Sequence, residues 1–255
     1  MTETELDRVL RQLRLGGMAD TLLARAQQAR AEQLGPIDFL NLLVHDELER
    51  RRDRLLERRI KAAQFRDRKT LDTFNWGFNS SIDRAHVFEL ATCRFIERRE
   101  DILILGNAGT GKSHISQALG MAAIHGGFRV LYREAHQLFE ELVFANATDE
   151  RSDLIAMLAE VPLLIIDDLG MRKLPASAAE DLLEIIMRRY ERASTLITSN
   201  RPLEDWPKMF SDTPAVTAFL DRLMHHGHFF QIRGKSYRLH ESGLAARAGT
   251  ARSAS

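Results

Sequence analysis

Three clusters in this 255-residue chain have the residue types and spacing to act on a phosphorylated nucleotide. The first, GNAGTGKS at Gly106–Ser113, fits G-x-x-x-x-G-K-[ST] between an apolar run and a helical segment. Phosphates need many oriented donors at close range, and Gly106, Gly109 and Gly111 let backbone N–H groups approach without side-chain obstruction. The loop Gly106, Asn107, Ala108, Gly109, Thr110 and Gly111, with Lys112, Ser113 and His114 after it, is therefore expected to wrap the phosphates of a nucleoside triphosphate. Lys112 supplies fixed positive charge, and Ser113 offers its hydroxyl to Mg²⁺, which takes few protein ligands.

The second cluster is LLIIDDLG, residues 163–170, where an apolar run ends in two carboxylates. Burying an unpaired carboxylate is costly, so two at the end of a buried strand point to a cation or a reacting water. Asp167 is expected to hold Mg²⁺ with Ser113, and Asp168 to orient and deprotonate the water. The third is TLITSNRP, residues 195–202, whose Asn200 can hydrogen-bond the γ-phosphate or the attacking water. A further strand, FRVLY, falls between the first two motifs in sequence; this suits P-loop ATPases with an inserted strand, and a simple nucleotide kinase also fits.

The elements that must carry these groups follow from hydrophobic patterning. Short apolar runs at 102–105, 128–132, 163–167, 195–199 and 229–233 read as strands, separated by helices at 112–125, 136–145, 177–192 and 214–226. That alternation predicts a parallel α/β sheet over residues 70–240. Residues 1–69 read as all helical: Leu6, Leu10 and Leu13 recur at helical spacing, Gly16-Gly17 forms a break, and Met18, Leu22 and Leu23 follow. After Pro36, the stripe Ile37, Leu40, Val44, Leu48 and Leu55 marks a longer amphipathic helix. Between the two regions, Phe74, Trp76 and Phe78 form an aromatic linker expected to pack on the α/β domain near a bound base. The small, polar residues 241–255 read as a disordered tail.

Composition narrows the class. Lys+Arg and Asp+Glu number 36 each, so any polyanion contact must come from charge placement. Residues 50–69 carry ten cations against three acids. An isolated run of this kind is usually a solvated helix face, and Arg50, Arg51, Arg54, Arg58, Arg59, Lys61, Arg66, Arg68 and Lys69 become candidates for contact with DNA phosphates only through what the motifs resemble. One cysteine, Cys93, excludes an intramolecular disulfide and fits a reducing, cytoplasmic setting. No secretion signal is read at the N-terminus, and no run approaches ~18 apolar residues, so no membrane contact is expected. His225, His226 and His228 lack a neighbouring carboxylate or cysteine in sequence and make a poor metal site.

The order GNAGTGKS, LLIIDDLG, TLITSNRP and AVTAFLDRL resembles AAA+ ATPases of the initiator and helicase-loader clade. More closely, LGGMADTL, FLNLLVHDELERR, DTFNW and TPAVTAFLDRLMHHGHFFQIRGKSYR resemble IstB-type transposition helpers over nearly the whole chain. The resemblance implies an AAA+ P-loop fold with a five-stranded parallel sheet, a helical N-terminal domain and a truncated or absent lid. It implies ATP hydrolysis with Mg²⁺, head-to-tail homo-oligomers, binding to duplex DNA and action on a partner transposase. Lys112, Asp167, Asp168 and Asn200 match its catalytic positions, and Arg222 matches the arginine projected into a neighbouring subunit's site. Asp168 stands where most AAA+ proteins carry glutamate, which implies slow hydrolysis. Arg233 and Arg238 either replace the missing second sensor or, with Lys235, face DNA.

Rival readings are a helicase loader, a P-loop kinase (which would need a phosphoacceptor pocket) or GTPase, and a nucleotide-binding scaffold. A replicative helicase loader shares the motifs and would take single-stranded DNA. A GTPase would need N-K-x-D, which the chain lacks. A scaffold that binds nucleotide without hydrolysis is compatible with the aspartate at 168.

Overall fold

The structure, a computed structural model, describes residues 2–210, 212–240 and 242–243. The expected tail at 241–255 lies almost wholly outside the described residues. Contacts divide the chain into two compact units, Met1–Arg59 and Ile60 onward, with the boundary inside a long helix.

The first unit is helical: α1 (Glu3–Gln12), α2 (Gly16–Ala31) and the start of α3 (Pro36–Ala63). Thr2 caps α1, its hydroxyl accepting from Glu5 N while Thr2 N donates to the Glu5 carboxylate. The chain turns at Arg14 (φ 62°), ahead of the expected glycine break. Gly16 and Gly17 instead open α2, because a Cβ on Gly17 would lie 2.7 Å from Glu47 Cα. That close approach lets Glu47 Oε2 accept from Gly17 N (2.6 Å) and Met18 N (3.3 Å), capping a helix whose own N-cap, Leu15, has no acceptor. The stripe expected to mark the buried face of α3 is exposed, Ile37 at 70% and Leu48 at 59%. Within this unit α3 buries Leu43 and Glu47, and Asp46 accepts two bonds from Arg25.

The second unit begins with the end of α3 and two short helices, α4 (Arg84–Leu90) and α5 (Arg94–Glu97). It continues as β1 (Asp101–Gly106), α6 (Lys112–His125), β2 (Val130–Glu134), α7 (Ala135–Ala147), α8 (Arg151–Glu160), β3 (Leu163–Leu169) and α9 (Ala178–Arg189). Then follow β4 (Ser194–Ser199), α10 (Trp206–Phe210), α11 (Thr213–His225) and β5 (Gly227–Ile232). The five strands are parallel, in the order β2-β3-β4-β1-β5. Ile102–Leu105, Leu163–Ile166 and Ser194–Ser199 are buried throughout, which is why these runs show no alternation: helices cover both faces. Where one helix was expected between β2 and β3 there are two, α7 and α8. Among the described residues no lid domain follows β5, only helical residues at 237–240 and 242–243. No described helix is long and apolar enough to cross a membrane.

At the base of the sheet Arg189, 1% exposed, donates to Leu158 O (2.6 Å), Val161 O (2.8 Å), Thr195 Oγ1 (3.0 Å) and Ser194 O. Burial pulls its pKa down to about 10. Asp101 accepts from Thr195 N at 2.6 Å, and burial pushes its carboxyl up to about 7.

Candidate nucleotide site

Ligands of open parallel sheets sit at the carboxyl ends of the strands, and the predicted motifs meet there. The strand standing between the glycine-loop strand β1 and the acidic strand β3 is β4, not β2, which lies at the edge. This order sets Asn200, just past β4, between Lys112 and the acidic pair.

The loop after β1 closes on itself and on the chain's far end. Lys112 Nζ donates to Asn107 O (2.9 Å), Thr110 Oγ1 donates to the same carbonyl (2.8 Å), and Tyr237 N donates to Gly109 O (2.9 Å). Gly111 takes φ 103°, and a Cβ there would meet the Phe74 ring at 2.8 Å. Lys112 is 4% exposed; burial lowers its pKa while Asp168 and Asp167 oppose the shift. Ser113 stands in the first turn of α6, and both Ser113 and Lys112 line a cavity of about 400 Å³ with Ala108–Gly111 and His114.

The acids are held tightly. Asp167, fully buried, accepts from Tyr132 OH (2.8 Å) at one oxygen and from the Thr198 hydroxyl at the other. Burial and the Asp167 charge push the Tyr132 phenol up, so it stays a donor. Asp168 breaks the β3 register at a bulge with φ 57°, and its N–H donates to Thr198 Oγ1 (3.0 Å). One hydroxyl of β4 thus ties both acids. Burial and then the Asp167 charge raise the Asp168 pKa, with Lys112 and Arg66 opposing, which favours a proton-accepting role.

Asn200 donates from Nδ2 to Met171 Sδ (3.0 Å), and its buried Oδ1 has no partner. An orphaned amide beside the acids fits a phosphate or a polarised water. The donor set also fits Mg²⁺: Ser113 and Asp167 supply hard oxygen, and Glu134, paired in register with Asp167, adds a third carboxylate nearby.

Phe74 and Phe78 of the aromatic linker reach the cavity wall, whereas Tyr237, Asn79 and the site-facing place of Arg66 escaped the sequence reading because they come from remote segments. Arg66 Nη1 lies 2.9 Å from Glu134 Oε1 and 3.6 Å from Asp168 Oδ2. Tyr237 stacks edge-on against Phe78 (5.0 Å), and both line the cavity with Phe74 and Asn79. Trp76 instead packs between Phe74 and Phe88. Tyr132 and Thr198 had a weak signal in sequence, as polar side chains inside apolar strands.

The remaining predicted residues lie elsewhere. Lys69 and Arg238 line the cavity with Arg66. Arg50 is committed to Gly16 O and Asp20, and Arg51 to Glu47 (2.6 Å) and Arg14 O (3.1 Å), inside the helical unit. Arg54, Arg58 and Lys61 are exposed, Arg59 is half-buried, and Arg68 has a partner. Arg233 and Lys235 are exposed beyond β5. Arg222, on α11, donates to Ala218 O (2.9 Å) and is absent from the cavity wall.

Residues 8–245 match a family described as IstB-like ATP binding protein. The chain belongs to that family. An ATP-binding protein of insertion sequence IS5376 from Geobacillus stearothermophilus is 36% identical over 91% of this chain and 92% of its own length. Its counterpart in insertion sequence IS21 from Pseudomonas aeruginosa is 35% identical over 94% of this IstB-like chain and 91% of its own. Among solved structures, AMPPCP-bound DnaA from Aquifex aeolicus superposes with a TM-score of 0.56 at 23% identity, over 66% of this chain and 51% of its own. The DnaC helicase loader gives 0.54 at 22%, over 64% and 96%. These likenesses establish the AAA+ fold of the IstB-like protein.

Proposed function

We propose that this IstB-like protein is an ATPase that assembles on duplex DNA while ATP is bound and stimulates a partner transposase. The observation that carries the proposal is the division of labour around the cavity. Lys112 and Asp168 line one cavity, Asp167 adjoins Asp168 and Asn200 bonds Met171 of the same wall, whereas Arg222, on α11, bonds Ala218 O and pairs with Asp221. A guanidinium that does not complete its own subunit's site is suited to completing a neighbour's, which makes assembly depend on nucleotide.

The chemistry follows from the side chains. Lys112 and the loop N–H groups bind the β- and γ-phosphates. Asn200 orients a water toward the γ-phosphorus. The water oxygen bonds to that phosphorus as the bond to the β,γ-bridging oxygen breaks, and the water's proton passes to Asp168, whose raised pKa suits it to the task. Mg²⁺, held by Ser113 and Asp167, would supply charge neutralisation at the phosphate oxygens. Aspartate at 168 reaches one methylene less far than glutamate, which favours slow turnover and a timed switch. Arg238, on the cavity wall, is better placed than Arg233 to sense the γ-phosphate.

Residues 1–69 would supply subunit, DNA or transposase contacts, with Arg54, Arg58 and Lys61 the most available cations. Light scattering with duplex or single-stranded DNA, each with ATP or ADP, tests the assembly. Large particles only with duplex and ATP, lost in Arg222→Ala while ATP binding persists, are expected. Preference for single strands would shift the reading to a helicase loader, and normal assembly of Arg222→Ala would overturn the role of that arginine.

A further inference from the structure

Outside the nucleotide cavity, the fold gathers two imidazoles and a carboxylate that are far apart in sequence. His225 ends α11, His226 follows it, and Glu191 sits in the turn between α9 and β4 with φ 57°. One ligand atom from each lies within 4.8 Å of the others, and all three side chains are exposed. Sequence alone gives these histidines no carboxylate partner, and Glu191 supplies it from 34 positions upstream. His228 turns away, to His86 (3.0 Å) and Glu100 (3.0 Å).

We propose that Glu191, His225 and His226 bind a zinc-type divalent ion that staples the turn after α9 to the end of α11. Three further observations support the assignment. Bonds of about 2.0–2.1 Å in a tetrahedral site set ligand atoms about 3.4 Å apart, so exposed side chains need to close by little more than an ångström. Tyr190 OH lies 2.8 Å from His225 Nδ1. When Nδ1–H donates to that oxygen, the Nε2 lone pair is open, which is the outer hydrogen bond that orients metal-binding histidines. The site also lies at the C-terminus of a 13-residue helix, where partial negative charge favours a cation.

The backbone around the ligands is anchored. Arg99 Nη1 donates to Glu191 O (3.0 Å) and Asp101 N donates to His226 O (3.3 Å). Two nitrogens and one carboxylate select zinc over magnesium, with a fourth position open to water. Arg222 stands three and four residues before the two histidines, on the same helical face, so the ion sits one turn from that guanidinium. Asp221, 3.7 Å from Arg222, offsets its charge.

Calorimetric titration of Zn²⁺ into the nucleotide-free full chain, with Mg²⁺ in large excess to occupy oxygen-rich sites, tests the proposal. The absorption of Co²⁺ in parallel reports tetrahedral nitrogen ligation. One ion per chain is expected, lost in His225→Asn, His226→Asn and Glu191→Gln, weakened about tenfold in Tyr190→Phe, and unchanged in His45→Asn. All three ligands are exposed, so the variants keep the fold. Absence of Zn²⁺ uptake, or full binding by the His225→Asn/His226→Asn double variant, would overturn it.

Discussion

Replacing Thr198 with valine exchanges a hydroxyl for a methyl of the same shape at a fully buried position, and so isolates the bonds that hold the two acids. The hydroxyl donates to the Asp167 carboxylate and accepts from Asp168 N–H. Valine leaves that N–H without a partner, at about 1–3 kcal/mol, and removes a bond to a charged group worth about 1.5–3 kcal/mol, so the fold should lose about 3–5 kcal/mol. For a unit of this size the loss corresponds to a fall of roughly 10 °C in the melting temperature of the α/β unit. Tyr132 still holds the other Asp167 oxygen, so the sheet should survive while the Asp168 backbone loosens. Thr198→Ser keeps the hydroxyl and should lose only about 1 kcal/mol for the missing methyl. Thermal and urea unfolding of the three proteins, with phosphate release under saturating ATP, decide the matter. Equal stability of wild type and valine variant, or equal losses in the serine and valine variants, would refute the assigned role of the hydroxyl.

Three further outcomes are expected. Asp101 holds its proton to about pH 7 when folded but has an ordinary carboxyl in the unfolded chain, so the folded state binds more protons between those values and stability falls as pH rises from about 4 to 7. Asp101→Asn should flatten that slope, worth up to about 4 kcal/mol, in denaturation midpoints across pH 3–8. Gly17→Ala places a Cβ 2.7 Å from backbone that cannot yield, and should cost about 1–3 kcal/mol, seen as faster hydrogen exchange at α2 amides. Asp167→Asn leaves one acceptor for two hydroxyl donors and should abolish Mg²⁺-dependent phosphate release while filter binding still detects ATP.

The sequence was most legible where function is contiguous. Gly106–Ser113 and the apolar strands ending in Asp167 and Asn200 carry their own signal, because buried parallel strands are unbroken hydrophobic runs. It was least legible where a face is chosen by a partner. On α3 the residues buried within the first unit include Glu47, a charged residue satisfied by the α2 amides, so hydrophobicity pointed to a neighbouring stripe. Arg66 and Tyr237 reach the cavity from segments tens of residues from the glycine loop, and no local pattern announces such a meeting. Glu191 and the histidine pair are the same case at smaller scale.

The left-handed backbone at Asp168 sets conformational ease against the carboxylate that the residue presents to the cavity. Glycine fits that conformation without penalty, aspartate and asparagine tolerate it because their short polar side chains bond locally, and longer side chains carry a cost of about 1–2 kcal/mol. Selection for thermal robustness alone would therefore drift toward Asp168→Gly and remove a carboxylate from the cavity wall. Asp168→Glu would lengthen the side chain by one methylene and take on the left-handed cost that aspartate largely escapes.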